Sequence, residues 1–176
     1  MQESIEVVSQ KIAEAELVLV GIGEKFDPEK YAADIRSAYE KLAGLLAGKN
    51  YFIVTVCTDE LIYDAGFKEE RIVRPLAEEE GEAEEAQQRY AHPSRWETYM
   101  KWLQGTLHKK LLVLELGVGL RYPDVIRFPF EKTVYLNRQS ILIRIHDKLF
   151  QLPVQLKDRG ISMSEDAVKL FADAEI

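Results

Sequence analysis

Two short apolar runs in the sequence each lead into a Gly-x-Gly turn. Residues 17–20 read Leu-Val-Leu-Val and precede the turn Gly-Ile-Gly at 21–23, and residues 111–114 read Leu-Leu-Val-Leu and precede, two residues later, the turn Gly-Val-Gly at 117–119. A compact apolar run that stops at a tight glycine turn is typical of a strand buried on both faces of a parallel sheet. Few other architectures bury such runs completely.

Segments with helical periodicity alternate with these runs. Apolar side chains recur at helical spacing over 5–15 and 31–45, and the second segment begins with Asp27-Pro28, an N-cap followed by proline at the first helical position. Further strands are predicted at 51–56, 71–73 and 141–145. This alternation predicts an α/β fold, in which a Rossmann-like parallel sheet carries helices on both faces.

Length and composition indicate a single domain over residues 1–176. The chain has 176 residues, of which 47% are apolar, enough for one core of ordinary size. Residues 77–92 are rich in glutamate and are predicted to form a solvated acidic insertion. Helices are predicted after Ser94, with an aromatic face at 96–103 that packs on the sheet, and from Ser164 towards the C-terminus.

The net charge and the single cysteine limit the kinds of partner, metal site and cellular location that we expect for this protein. The net charge is −7, so a nucleic-acid backbone would be repelled on average. No apolar run approaches the roughly 20 residues of a membrane span, and the N-terminus lacks the pattern of a signal peptide, so no membrane partner is expected. Cys57 alone cannot form an internal disulfide or a zinc site of two thiolates, which favours a cytoplasmic location.

Polar side chains follow the predicted strand at 51–56. Thr55, Cys57, Thr58 and Asp59 stand where a parallel sheet places its ligand crevice, although Thr58 or Asp59 could equally serve as a helix N-cap. Cys57 could be an activated nucleophile near a helix N-terminus, but an inert buried thiol is favoured because the neighbouring Asp59 opposes a second negative charge. The two interpretations of this cluster remain open at this point.

Glu115 is an acidic residue at the end of a predicted buried strand. An ion pair with Arg127 or Arg144 is commoner at such a position than a catalytic role. We therefore expect Glu115 to be structural.

Four motifs occur in a fixed order along the chain. They are the run and glycine turn at 17–23, Thr-Val-Cys-Thr-Asp-Glu-Leu at 55–61 with Ala-Gly at 65–66, Glu-Leu-Gly-Val-Gly-Leu-Arg-Tyr-Pro at 115–123 followed by Arg-Phe-Pro-Phe-Glu at 127–131, and Ile-His at 145–146. In this order they resemble the motifs of the sirtuins, the NAD-dependent protein deacylases, in the form typical of a bacterial sirtuin-like branch. The resemblance covers residues 15–150.

The resemblance implies a DHS-like NAD/FAD-binding fold with a site for NAD or ADP-ribose, and no metal is expected because the cysteines of the family's zinc module are missing. The cofactor-binding residues that it predicts are Gly21, Gly23, Thr55, Cys57, Asp59, Gly117, Gly119 and His146. Gly21 and Gly23 would allow a phosphate group to approach backbone N–H groups at a helix start. His146 matches a family asparagine near the adenosine ribose, and Cys57 would lie near the other ribose.

Several departures from the sirtuin pattern argue against deacylation. Leu76-Ala77 stand at the position of the catalytic His-Gly pair, and Cys57 replaces the motif asparagine. Leucine cannot transfer a proton, and a thiol hydrogen-bonds too weakly to imitate an amide. Residues 24–27 do not match the loop that closes over nicotinamide, and the four-cysteine zinc module is absent, with the stretch at 77–92 in its place.

Three hypotheses follow from these residues. The first is a pseudoenzyme that binds an NAD- or ADP-ribose-type nucleotide without deacylating proteins. The second is an NAD-consuming enzyme, a glycohydrolase or ADP-ribosyltransferase, in which Asp59 or Glu60 orients the nucleophile. The third is a scaffold whose acidic insertion or aromatic helix contacts a partner protein or a second copy. His92 is interpreted as a solvated loop residue and His108 as a favourable cation near a helix C-terminus.

Overall fold

The computed structural model describes residues 1–78 and 93–175 and contains one six-stranded parallel sheet. The strands are β1 (Leu17–Ile22), β2 (Asn50–Thr55), β3 (Ile72–Val73), β4 (Leu111–Leu116), β5 (Ile141–Ile145) and β6 (Gly160–Met163). The helices are α1 (Gln2–Glu14), α2 (Pro28–Leu46), α3 (Pro93–Gly105), α4 (Arg127–Leu136) and α5 (Ala167–Ala172). Short 3₁₀ helices span Leu61–Ala65, Glu69–Arg71, Pro75–Glu78 and Val154–Arg159.

The strand order is β3-β2-β1-β4-β5-β6, and every neighbouring pair is parallel. The chain therefore moves outward in one direction from β1 to β3 and then crosses back to β4 on the other side of β1. This is the order of a doubly wound Rossmann-type sheet, with its switch point between β1 and β4. The predicted fold class is confirmed.

Helices cover both faces of the sheet because successive side chains of each strand point to opposite sides. Val18 and Val20 belong to a core formed with α1, α2 and α5. Leu17 and Leu19 face the other side, where the core includes Tyr99 of α3 and residues of α4. The central strands can therefore be continuously apolar, as the sequence shows.

Two local signals in the sequence determine where elements begin and end. The Asp27 side chain accepts the Glu29 N–H at 3.0 Å and caps α2, with Pro28 as its first residue. Gly66 ends the Leu61–Ala65 turn at φ +89°, a conformation that glycine adopts without strain. The cap at Asp27-Pro28 was predicted from the sequence.

The structure differs from the sequence prediction in two further elements. Strand β6 was not predicted, and α5 begins after Asp166 and not at Ser164, because the Asp166 carboxylate accepts the Val168 and Lys169 N–H groups and caps the helix. Most of the predicted insertion at 77–92, including His92, and the Ser94 side chain lie outside what is described. Among the described residues, no helix is both long and apolar enough to cross a membrane.

Candidate functional site

A pocket of about 360 Å³ lies at the carboxyl ends of β1 and β2, beside the loop that follows β4. It is lined by Glu24 and residues 26–29 after β1, residues 56–59 after β2, Leu76, Arg121 and Tyr122. Doubly wound sheets bind ligands in the crevice outside the carboxyl ends of the strands at the switch point. The pocket lies next to that switch point and is of a size that binds small molecules.

The first glycine turn brings two loops into backbone contact. A Cβ atom on Gly23 would lie 2.3 Å from both the Gly117 carbonyl oxygen and the Val118 Cα. A Cβ atom on Gly21 would lie 2.5 Å from Ile126 and 2.7 Å from the Phe130 ring. Close packing within the protein is thus enough to explain why both residues are glycine. The two glycines alone are therefore not evidence of a phosphate contact.

The second glycine turn packs against the residues that follow β1. Gly117 has φ +60°, and a Cβ atom there would lie 2.5 Å from the Lys25 Cβ. The Gly119 N–H donates to Glu24 Oε2 at 2.7 Å, and the Arg121 N–H donates to Glu24 Oε1 at 3.1 Å. The Glu24 carboxylate therefore bridges the two loops at the edge of the pocket.

Cys57 lines the pocket, but its thiol is held by the protein. The Sγ atom lies 3.5 Å from the Phe26 carbonyl oxygen and 3.6 Å from that of Gly23. Thr55 is buried, and its hydroxyl oxygen accepts the Cys57 N–H at 3.0 Å. Burial raises the pKa of the Cys57 thiol to about 11, so almost none of it is thiolate at neutral pH.

The Arg74 side chain holds the backbone around Cys57 in place through hydrogen bonds. The Arg74 guanidinium is buried and donates from Nε to the Cys57 carbonyl oxygen at 3.3 Å and from Nη2 to the Thr58 carbonyl oxygen. The same guanidinium lies over the Tyr63 ring, 5.4 Å from its centre. A cation that binds two successive carbonyl groups rigidifies the turn that presents Asp59.

Asp59 is the acidic side chain that the β2 end presents to the pocket. Its Oδ1 accepts the Leu61 N–H at 3.0 Å, at the start of the Leu61–Ala65 3₁₀ helix. Asp59 thus lines the pocket and forms a turn with Leu61 through its side chain, whereas the N-cap position of the 3₁₀ helix is occupied by Glu60. One carboxylate oxygen has a backbone donor, which leaves acceptor capacity on the other for a ligand.

His146 directly follows β5, and one of its ring nitrogens accepts hydrogen bonds from the backbone of the next residues. Nδ1 accepts the N–H groups of Lys148 and Leu149, each at 3.0 Å, which assigns the proton of the neutral ring to Nε2. The ring is 4% exposed, and this burial lowers the pKa of His146, although the Asp147 carboxylate opposes the shift. The carboxylate itself binds Lys25 Nζ at 3.0 Å.

The pocket does not bring together all of the predicted binding residues. Cys57 and Asp59 line it, and Gly119 contacts its edge through Glu24. Thr55 is buried beneath it, and His146 lies at the end of β5, beyond β4. Glu24, Arg121 and Tyr122 were not predicted as site residues, although Glu24 directly follows Gly23 and Arg121 lies two residues after Gly119.

Leu76, which was predicted to stand where the sirtuin pattern has its catalytic histidine, lines the pocket. Among the described residues that line the pocket, none is a histidine. The ionisable groups of these described lining residues are four carboxylates, on Glu24, Asp27, Glu29 and Asp59, together with the Arg121 guanidinium, the Cys57 thiol and the Tyr122 phenol. Three of the four carboxylates accept backbone N–H groups, which partly neutralises them.

No group of three or more histidine, cysteine, aspartate or glutamate side chains that could hold a metal ion occurs within residues 1–78 and 93–175.

Comparison with known proteins supports the assignment of the fold. A solved structure from work on the mechanism and regulation of Sir2 enzymes superposes with a TM-score of 0.54 and 11% sequence identity. The match covers 98% of this chain and 96% of that chain. The chain therefore has a sirtuin-like fold of the α/β Rossmann type, which at this identity is a statement about architecture alone.

Sequence comparison gives a shorter match. A protein ADP-ribosyltransferase of Staphylococcus aureus (strain Mu50 / ATCC 700699) is 28% identical over 76 residues, which is 43% of this chain. The matched part amounts to 24% of that protein's length, so the similarity spans about a quarter of the relative. No family model matches the sequence.

Proposed function

We propose that the chain binds a nucleotide of the NAD or ADP-ribose type in the pocket at the carboxyl ends of β1 and β2. The observation that carries this proposal is the position of the pocket at the carboxyl ends of β1 and β2, next to the switch point between β1 and β4. The sirtuin-like fold and the short match to a protein ADP-ribosyltransferase support the same ligand class.

The chemistry of the lining suits a ribose and a phosphate group. The free oxygen of Asp59 can accept hydrogen bonds from ribose hydroxyls. The Arg121 guanidinium can pair with a phosphate. The Gly119 and Arg121 N–H groups both donate to one anionic group, which in this structure is the Glu24 carboxylate. These donors and acceptors fit the proposed nucleotide. If a reaction takes place in the pocket, the reactive glycosidic bond belongs to the bound nucleotide.

The proposed domain does not deacylate proteins. Leu76 supports this part of the proposal because a leucine side chain in the pocket can exclude water but cannot accept a proton. Cys57 cannot replace the missing base, since its raised pKa keeps it protonated.

Thermal unfolding with added ligand tests the proposal. NAD or ADP-ribose at 100 times its dissociation constant should stabilise the fold by about 2.7 kcal/mol, a shift of several degrees in Tm. Calorimetry with the variants Asp59→Asn and Arg121→Ala should show weaker binding. Arg138→Ala is the matched control, because Arg138 is exposed and precedes β5 at the opposite end of the sheet. Absence of heat and of any Tm shift at millimolar nucleotide would contradict the proposal.

A second candidate function is an NAD-consuming reaction, either glycohydrolysis or ADP-ribosyl transfer. The observation that favours it is Asp59, an acid in the pocket that could orient a water molecule or an acceptor hydroxyl. The name of the staphylococcal relative supports the same reaction class. Release of nicotinamide from NAD by the wild type, abolished in Asp59→Asn but retained in Arg138→Ala, would establish this function. Binding without release would restrict the protein to the first.

A further inference from the structure

The Glu24 carboxylate is held by backbone N–H groups from a distant part of the chain. Each of its oxygens accepts one hydrogen bond, Oε2 from Gly119 at 2.7 Å and Oε1 from Arg121 at 3.1 Å. The donors lie 95 and 97 residues further along the sequence. Among the described residues, no lysine or arginine nitrogen forms an ion pair with Glu24. An anion is thus bound by main-chain donors alone.

The loop at 117–121 has the features of a backbone anion site. Converging N–H groups in a turn with a left-handed residue form a concave donor set, and Gly117 supplies that conformation at φ +60°. A Cβ atom on Gly119 would lie only 3.1 Å from Glu24 Oε2, so glycine allows the anion to approach the main chain closely. Two oxygens of a phosphate group present the same pair of acceptors as a carboxylate.

A buried arginine, Arg127, places positive charge next to this loop. Arg127 Nη2 donates to the Val118 carbonyl oxygen at 2.6 Å, within the loop itself. The Arg127 side chain is 7% exposed, and its Nε–H is buried without a hydrogen-bond partner. A buried guanidinium directly bonded to the loop favours an anion at the neighbouring N–H groups.

The site of the Glu24 carboxylate is continuous with the pocket. Glu24 and Arg121 both line the pocket, and the Glu24 side chain is only partly buried. Turning the Glu24 side chain to solvent breaks its two hydrogen bonds to backbone N–H groups but no ion pair. A ligand in the pocket can therefore reach the Gly119 and Arg121 N–H groups if Glu24 moves aside.

We infer that the 117–121 loop is an anion site that the protein's own Glu24 carboxylate fills, and that a phosphate or diphosphate group competes with Glu24 for it. The inference rests on the proposed nucleotide function for the identity of the natural ligand. It adds that Glu24 is an internal competitor, which weakens the binding of every ligand that places a phosphate at this loop.

Inorganic pyrophosphate is the probe that separates this inference from nucleotide binding as a whole. Glu24→Ala should bind pyrophosphate about tenfold more tightly than the wild type, because it frees two donors to a charged acceptor and removes one negative charge. Glu29→Ala is the matched control, since it removes a carboxylate that lines the same pocket but is exposed and accepts no bond from the loop. It should change the affinity about twofold at most.

The amide signals of Gly119 and Arg121 give a second readout. Pyrophosphate should shift both signals in Glu24→Ala, and Glu24→Gln, which keeps one acceptor oxygen, should bind with intermediate affinity. If Glu24→Ala is too unstable to study, the comparison of Glu24→Gln with wild type and Glu29→Ala still decides the question. Unchanged pyrophosphate affinity in a folded Glu24 variant would overturn the inference and assign Glu24 to loop bracing.

The two proposals can fail separately. Tighter pyrophosphate binding by Glu24→Ala, together with no response of the wild type or the variant to ADP-ribose, would establish the anion site and contradict the nucleotide function. ADP-ribose binding that is equal in wild type and Glu24→Ala would support the nucleotide function and contradict competition by Glu24.

Discussion

Glu115 and Arg144 are register partners on the neighbouring strands β4 and β5, and their side chains form a two-point ion pair inside the protein. Arg144 Nε donates to Glu115 Oε2 at 2.6 Å and Nη2 to Oε1 at 3.1 Å, with Glu115 0% and Arg144 1% exposed. Glu131 and the Gln151 carbonyl oxygen accept further hydrogen bonds from Nη2 and Nη1 of Arg144. Of the two partners predicted for Glu115, the structure selects Arg144.

Substitution of Glu115 by glutamine should destabilise the fold without affecting ligand binding. The variant leaves the buried Arg144 charge with Glu131 as its only carboxylate, and breaking a buried pair costs about 3 kcal/mol. Urea unfolding measures this loss. Glu115 is absent from the pocket lining, so nucleotide affinity measured well below the unfolding midpoint should be unchanged.

A double variant checks the physical cause of that loss. Glu115→Leu combined with Arg144→Met removes both buried charges, and uncharged pairs of similar volume often match or exceed the stability of a buried ion pair. The double variant should therefore be more stable than Glu115→Leu alone. If it is less stable than the single variant, charge desolvation is not the dominant energy at this site.

Alanine at position 23 should be far more harmful than alanine at another glycine. The new Cβ would lie 2.3 Å from backbone atoms of residues 117 and 118, which cannot move without separating the two loops, and we expect a loss of about 3 kcal/mol. Gly44→Ala is the matched control, because Gly44 lies within α2 and, apart from its chain neighbours and the nearby backbone of the same helix, no described atom lies within 4 Å of the position that its new methyl group would take. It should be neutral or stabilise by up to about 1 kcal/mol. Equal losses would contradict the steric argument.

Cys57 should react slowly with iodoacetamide in the folded protein. With a pKa of about 11, roughly one thiol in a thousand is ionised at pH 8, and the thiolate is the reactive form. Mass spectrometry should show labelling within minutes in urea but only over many hours without it. Rapid labelling of the folded protein would mean that the thiol is activated and would restore Cys57 as a candidate nucleophile.

His146 should make the fold less stable as the pH falls below 6.5. Burial lowers its pKa in the folded state, so the unfolded chain, with an ordinary value near 6.5, binds the proton more readily. The stabilising contribution is complete above pH 6.5 and is lost as the pH falls towards the lower folded value. Unfolding by urea between pH 7.5 and 5.5 measures the change.

His146→Asn is the informative variant for this pH dependence. An asparagine oxygen can accept the same N–H groups of Lys148 and Leu149 but does not titrate. The variant should show a flatter dependence of stability on pH over this range. The charged groups that influence His146, namely Lys25, Asp147, Arg127 and Glu24, remain in both proteins. An unchanged slope would assign the pH dependence to one of them.

The two tryptophans should differ in fluorescence quenching, which bears on the scaffold hypothesis. Trp96 is 42% exposed, whereas Trp102 is partly buried against the Phe52 ring and donates from Nε1 to Asn50 Oδ1 at 2.8 Å. Acrylamide should quench Trp96 preferentially, and Trp96→Phe should remove most of the quenchable emission. Strong quenching that persists in Trp96→Phe would contradict this arrangement.

The parts of the fold that local chemistry determines were predictable from the sequence. Strands β1, β2 and β4 are apolar runs because both of their faces are buried, and Asp27-Pro28 caps α2 through contacts two residues away. Strand β6 was missed because it lies at an edge of the sheet, and three of its four residues are not fully buried. An edge strand needs no continuous apolar run.

The candidate site was predictable only where its residues follow a strand directly. Cys57 and Asp59 were found because they follow β2, and the position of the pocket follows from the parallel topology. The bridge from Glu24 to Gly119 and Arg121 joins residues almost a hundred positions apart, and no local pattern records it. The packing of Gly23 against residues 117 and 118 is equally non-local, so the sequence alone could not separate a packing glycine from a phosphate-binding one.

The lengths of the outer strands bear on how the folded protein behaves in concentrated solution. Within the described part of the chain, the sheet ends at β3, which has two residues, and at β6, which has four. The long apolar strands all lie between neighbours, so few unpaired backbone groups remain at either edge to template the addition of another chain. Aggregation through edge-to-edge pairing would then require unfolding first, and the rate of aggregation should follow the rate of unfolding.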